Sequence, residues 1–125
     1  MGLIVQKFGG TSVADLDRIR NVAKRVARTF DQGNDVVVIL SAMAGVTDNL
    51  IRMANQVTES PDKRELDVLL ATGEQTTAAL LAMTLRAMNY AAESILGHQA
   101  KVVTDCAFGN ARILDIGADP IRALV

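Results

Sequence analysis

The sequence predicts an α/β fold with three layers, helices packed on both faces of a mainly parallel sheet. Three observations predict it. Two apolar runs, Leu3 to Phe8 and Val36 to Leu40, are short and nearly continuous rather than alternating, which suits strands covered on both faces. The residues between them carry a helical period. The resulting order of strand, helix and strand is the crossover unit from which parallel sheets are built.

Of the two strands, Val36 to Leu40 is the clearer, with four β-branched residues in a row before a leucine. In the intervening helix Leu16, Ile19, Val22, Ala23, Val26, Ala27 and Phe30 recur at three- and four-residue steps. Arg18, Arg20, Lys24, Arg25 and Arg28 fall on the other faces as a solvated side. Ser12-Val13-Ala14-Asp15 fits a capping box, with Asp15 itself as the other candidate cap, and Gly33 is a natural stop. A second helix is expected from Thr47 or Asp48, turning Leu50, Met53, Ala54 and Val57 inward. Residues 58–63, with Pro61, read as a loop. Helical composition returns over Glu65 to Ala71 and Gln75 to Asn89, with a break or kink expected at Thr72-Gly73. Ala92 to Leu96, Lys101 to Thr104 and Ala111 to Ile116 are weaker strand candidates. Asp119 and Pro120 look like the cap and first position of a last helix. That helix runs only to Val125, without a polar tail or closing strand, so the domain is expected to be incomplete within residues 1–125.

Composition narrows the function. The chain has 125 residues, a length that suits one domain. A formal net charge of −1 supplies no basic excess for phosphate contacts along a duplex, and 3% aromatic residues without tryptophan offer no stacking platform for single strands. Nucleic acid is therefore not expected as a partner. The first apolar stretch ends at Lys7, too short for a signal-peptide core, and Val36 to Leu40 is far below the ~20 residues of a membrane span. One cysteine, Cys106, cannot form an internal disulfide, which suits a reducing compartment. A cytoplasmic protein without membrane contact is the expectation.

The most informative segment is Lys7-Phe8-Gly9-Gly10-Thr11-Ser12, at the carboxyl end of the first strand, where ligands collect in open α/β sheets. The two glycines let backbone approach an anion, the amides at the start of the helix are expected to face it, and Lys7 adds a full positive charge. Thr11 and Ser12 add hydroxyl donors. The lysine precedes the glycines, so this is not a Walker A loop, and an ordinary strand-to-helix turn with a solvated lysine fits the same residues. The second strand ends in Ser41-Ala42-Met43-Ala44-Gly45-Val46-Thr47. If the strands are parallel, Ser41 and Thr47 offer hydroxyls at the same edge, or else simply cap the next helix. Glu74, after the expected break, would sit at a helix amino end as counter-charge for an ammonium group, or merely complement the dipole. His98 is the only histidine and reads as solvated. No His–Cys cluster supports zinc, no G-x-S-x-G elbow supports a serine hydrolase, and no metal site is expected.

Together, Val5 to Val13, Val36 to Met43, Thr72-Gly73-Glu74-Gln75, and Thr104-Asp105 followed by Asn110 to Leu114 resemble the amino-terminal part of the aspartokinases, in the amino-acid kinase family. The resemblance spans essentially the whole chain. It implies a carbamate kinase-like fold, of which residues 1–125 would be the first part of the catalytic domain, the rest of that domain and regulatory ACT domains lying outside them. It implies transfer of the ATP γ-phosphate to the side-chain carboxylate of L-aspartate, giving 4-phospho-L-aspartate, on the route to lysine, threonine and methionine. By analogy Lys7 would neutralise charge on the transferred phosphoryl group, and Gly9 and Gly10, with Thr11 and Ser12, would bind phosphate. Ser41, Thr47 and Glu74 would hold aspartate. Mg²⁺ would arrive with ATP, without a protein ligand identified in this chain. An unfinished sheet would expose an apolar edge or face, so a homo-oligomer is expected. Other members of the family (N-acetylglutamate, glutamate 5- or uridylate kinases) and a non-catalytic ligand-binding or oligomerisation module remain as alternatives. All of these readings require Lys7 and Ser41 to open onto one cleft.

Overall fold

A computed structural model describes residues 1–125. The elements run β1 (Leu3–Phe8), a 3₁₀ turn (Gly10–Val13), α1 (Leu16–Asp31), β2 (Asp35–Leu40), α2 (Val46–Val57), α3 (Lys63–Ala87), β3 (Val102–Thr104), β4 (Ile113–Ile116) and α4 (Asp119–Arg122). β1 and β2 pair in parallel, with Leu3 opposite Asp35, Lys7 opposite Ile39 and Phe8 opposite Leu40. The expected α/β class and parallel crossover are therefore present. β3 and β4 form a separate antiparallel hairpin.

α1 forms where its periodicity places it. Asp15 is the cap: its carboxylate accepts the Arg18 amide at 2.8 Å, while Ser12 and Val13 belong to the preceding 3₁₀ turn. Gly33 ends the helix with φ of +86°, and its amide bonds to the Phe30 carbonyl. The inward stripe of α1, with Leu81 and Leu85 of α3, packs on Phe8 and Val13. Val36, Val38 and Leu40 of β2 close this core from the sheet side.

The pleat explains what stays uncovered. Residues alternate between faces along a strand. Those on the helix-covered face include Phe8, Val36, Val38 and Leu40. On the opposite face Leu3, Val5 and Ile39 are 50%, 59% and 49% exposed, with Lys7 among them. Only 13 of 125 residues are buried, a small core for a chain half of whose residues are apolar. The helices here cover one face of the β1–β2 sheet and leave the other open.

Several elements depart from the sequence expectations. α3 is one continuous helix of 25 residues, with no break at Thr72-Gly73. Gly73 is an approach point instead: a Cβ there would lie 2.8 Å from the Ala42 Cβ and 3.5 Å from Val46 Cγ1. By length and composition alone α3 could cross a membrane. In this structure it buries one stripe against the rest of the chain, Gly73, Thr77, Leu81 and Leu85 at four-residue intervals. α2 buries no residue fully; Leu50 and Ala54 are half-buried, whereas Met53 and Val57, expected inward, are exposed, Val57 by 85%. Ala92 to Leu96 is irregular rather than a strand. α4 begins at Asp119, with Ala118 in the cap position.

Candidate functional site

The three segments singled out in the sequence meet at Ala42. A Cβ on Gly10 would lie 2.9 Å from the Ala42 carbonyl oxygen, so only glycine lets the β1 loop approach the β2 loop this closely. On its other side Ala42, itself buried, touches Gly73. The Ser41 amide donates to the Phe8 carbonyl at 3.2 Å, carrying the parallel ladder one residue past β2. The Ser41 carbonyl then accepts from the buried Thr77 hydroxyl at 2.9 Å. The glycine loop, the β2 loop and the middle of α3 are thereby held together at the carboxyl edge of the sheet.

Register locates Lys7 and Ser41 relative to one another. Lys7 stands opposite Ile39. Ser41 follows two residues later, and the two-residue period returns it to the face that carries Lys7. Sheet spacing puts the two Cα atoms about 8 Å apart on diagonal neighbours. By register an exposed lysine and a half-buried serine thus fall on one face at the end of the strands, while the concavity that Lys7 lines is shared with Gln6, Arg25, Arg28, Thr29 and Gln32 and not with Ser41.

Glu74 is placed differently from the sequence expectation. It is not at a helix amino end, because α3 starts at Lys63 with Asp62 as its cap. Leu81 and Leu85, seven and eleven residues further on, lie on nearly the same meridian of the helix as Glu74. Those two are buried in the core, whereas Glu74 is exposed. Glu74 follows Gly73, which meets the loop beyond β2, and is itself exposed. Thr47 is exposed in the first turn of α2. The cap position of that helix is Gly45, with φ of +81° and no side-chain capping bond, so neither Ser41 nor Thr47 serves as its cap.

The glycine motif differs in detail from the expectation. The helix that follows Gly9 is the short 3₁₀ turn, closed by the Ser12 amide on the Gly9 carbonyl at 3.0 Å. α1 starts only at Leu16, behind the carboxylate of Asp15, so its dipole is not aimed at the glycines. The amides available for an anion are the leading ones of the 3₁₀ turn, Gly10 and Thr11, which precede any acceptor within the turn. Ser12 lines a concavity of about 470 Å³ with Phe8, Arg18, Asn21, Val22 and Arg25.

Two contributors escaped the sequence reading. Arg18, counted there as a solvated charge, donates from Nη1 to the Thr11 carbonyl at 2.6 Å and pairs with Asp15 at 3.7 Å, bracing the glycine turn against α1. Its position three residues after a cap aspartate was the available signal. Thr77 was counted as helix composition; the signal was a hydroxyl residue within the buried four-residue series of α3. In the β3–β4 connection Asp105 Oδ1 accepts the amides of Ala107 and Arg112, and the Gly109 amide bonds to Asp67 of α3. Thr104-Asp105 and Arg112 are thus explained as turn structure. His98 and Cys106 are both exposed in connecting segments.

The family model of the amino acid kinases matches residues 2–125. The chain is 52% identical over 122 residues to the aspartokinase of Geobacillus stearothermophilus and 55% identical over 122 residues to that of Bacillus sp. strain MGA3. Each match covers 98% of this chain and 30% of the relative, so the chain spans about a third of their length. Among solved structures, the aspartate kinase from Synechocystis superposes with a TM-score of 0.75 at 47% identity, over 78% of this chain and 17% of that one. Aspartokinase III from E. coli, in complex with aspartate and ADP, superposes with a TM-score of 0.72 over 99% of this chain and 36% of that one. At 21% identity this second likeness speaks for the fold alone. With its parallel sheet, its glycine loop and a family match from end to end, the chain belongs to the amino acid kinase family.

Proposed function

We propose that this chain supplies the aspartate side, and one arm of the phosphate cradle, of an aspartokinase active site. The reaction is attack by a side-chain carboxylate oxygen of L-aspartate on the γ-phosphorus of ATP, with ADP leaving and 4-phospho-L-aspartate forming. The single observation that carries this reading is the convergence of the glycine loop, the Ser41 loop and the Glu74 segment of α3 on Ala42. Identities of 52% and 55% to proteins named aspartokinase favour aspartate over the other acceptors used within the family.

The residues divide the work by charge. Lys7 faces the phosphoryl group in transit and offsets its negative charge, which is where phosphoryl-transfer catalysis mostly acts. The amides following Gly9 and Gly10, with the hydroxyls of Thr11 and Ser12, hold phosphate oxygens. Ser41 and Thr47 donate hydrogen bonds to aspartate, and the Glu74 carboxylate faces its α-ammonium. Mg²⁺ bound with ATP would supply further screening of the phosphate charge. The product feeds lysine, threonine and methionine synthesis in the cytoplasm, and the full-length protein works as a homo-oligomer.

The test is a hydroxylamine-trapping assay of the full-length protein with ATP and either L-aspartate, L-glutamate or N-acetyl-L-glutamate. Aspartyl hydroxamate forming at least tenfold faster than the others supports the reading. Preferential phosphorylation of either glutamate substrate overturns it.

A further inference from the structure

We infer that Thr77 is a positioning residue that locks the Ser41 and Glu74 arms of the substrate site into one unit. The inference rests on the reading of Ser41 and Glu74 as aspartate-binding residues.

Thr77 is completely buried, and among the buried residues it is the polar one. Its Oγ1 lies 2.9 Å from the Ser41 carbonyl oxygen and 3.1 Å from the Glu74 carbonyl oxygen. One hydroxyl proton is thus shared between the main chains of two residues 33 positions apart in sequence, both assigned to the same substrate. The bond to Glu74 alone would be ordinary, since threonines in helices often return their hydroxyl to the preceding turn. Thr72, Thr76 and Thr84 do so within α3. The bond to Ser41 is what sets Thr77 apart.

Ser41 needs that bond. Its amide is the last of the ladder, donating to Phe8. Its carbonyl lies beyond the strand and receives no backbone amide. Without Thr77 the residue would be tied to the fold on one side only, free to rotate its hydroxyl away from the face it shares with Lys7. Substrate affinity that depends on two groups at fixed separation falls steeply when their spacing loosens.

The experiment uses full-length protein carrying Thr77→Val, nearly equal in volume but without the hydroxyl, and Thr77→Ser, which keeps the hydroxyl and loses the methyl. KM for L-aspartate, KM for ATP and kcat are measured for each, with the melting temperature. Thr77→Val is expected to raise KM for aspartate about tenfold while KM for ATP changes less than twofold; Thr77→Ser is expected to recover KM for aspartate to within about threefold. Equal impairment by both variants, or a parallel rise in both KM values, would mean that Thr77 only fills space, and overturns the inference. Should the valine variant not fold, Thr77→Cys, whose thiol is a weak donor, takes its place with the same expectation. Ser41→Ala and Glu74→Gln run in parallel. If neither changes KM for aspartate, the site assignment itself fails. If both raise it and Thr77→Val does not, only the positioning role fails.

Discussion

Replacing Gly73 by alanine separates close packing from mere helix composition. In an open helix interior the change would stabilise the protein by about 1 kcal/mol, because alanine is the better helix former. Here the new methyl would stand 2.8 Å from the Ala42 Cβ and 3.5 Å from Val46 Cγ1. Carbon atoms prefer about 3.5–4.0 Å, so α3 and the β2 loop must separate by roughly 1 Å. Neither neighbour is a flexible side chain that can swing aside. Overpacking of this kind costs about 1–3 kcal/mol, which outweighs the propensity gain. The net expectation is a loss of about 0–2 kcal/mol, centred near 1 kcal/mol, or a melting temperature lower by up to roughly 10 °C. Urea unfolding followed by far-UV circular dichroism measures it. Ala42→Gly removes the opposing methyl, so the double variant should recover about 1 kcal/mol relative to the sum of the single changes. A Gly73→Ala protein more stable than the parent, with no coupling to position 42, would refute the packing argument and the convergence built on it.

Other consequences follow from individual side chains. Lys7→Met should lower kcat by about 10²–10³-fold, the usual cost of removing one charged or hydrogen-bonding group from a developing oxyanion. Lys7 is exposed, so the melting temperature should hold. Glu74→Gln should raise KM for L-aspartate about 10- to 100-fold, equivalent to a charge-assisted bond of about 1.5–3 kcal/mol, with KM for ATP unchanged. Asp15→Ala removes the α1 cap and should cost about 0.5–2 kcal/mol in urea unfolding. Tyr90, the one tyrosine of the chain, donates to Asp31 at 2.8 Å; that bond, then desolvation and the aspartate charge, holds its phenol above the ordinary value of 10.0. A raised value means the folded state keeps its proton longer. The contribution is therefore complete below pH 10 and is lost as pH rises through the raised value. Ultraviolet titration of residues 1–125 should show ionisation above 10, returning toward it in Asp31→Asn.

Much of the fold was legible because its signals are local. The periodic stripe of α1, the Asp15 cap, the Gly33 stop and the two apolar strands each follow from residues within one element. The candidate site was legible as a set of motifs, and parallel pairing brings Lys7 and Ser41 to one edge by pleat alone. What escaped depended on contacts between elements. Gly73 reads as a helix breaker until Ala42 is seen against it, and the same glycine that lowers local propensity permits α3 to approach the β2 loop. Met53 and Val57 carry an inward period, yet nothing in the chain packs on that flank of α2. Ala92 to Leu96 has strand composition but no strand beside it to supply hydrogen bonds. Thr77 looked like one more helical threonine because its partner, the Ser41 carbonyl, is 36 residues away.

The most direct test of the account is a crystal structure of the full-length protein with L-aspartate bound. The α-ammonium is expected within about 3 Å of the Glu74 carboxylate, and the side-chain carboxylate on the sheet face that carries Lys7 and Ser41. Aspartate seated elsewhere, with Glu74 and Lys7 both facing solvent, would contradict it.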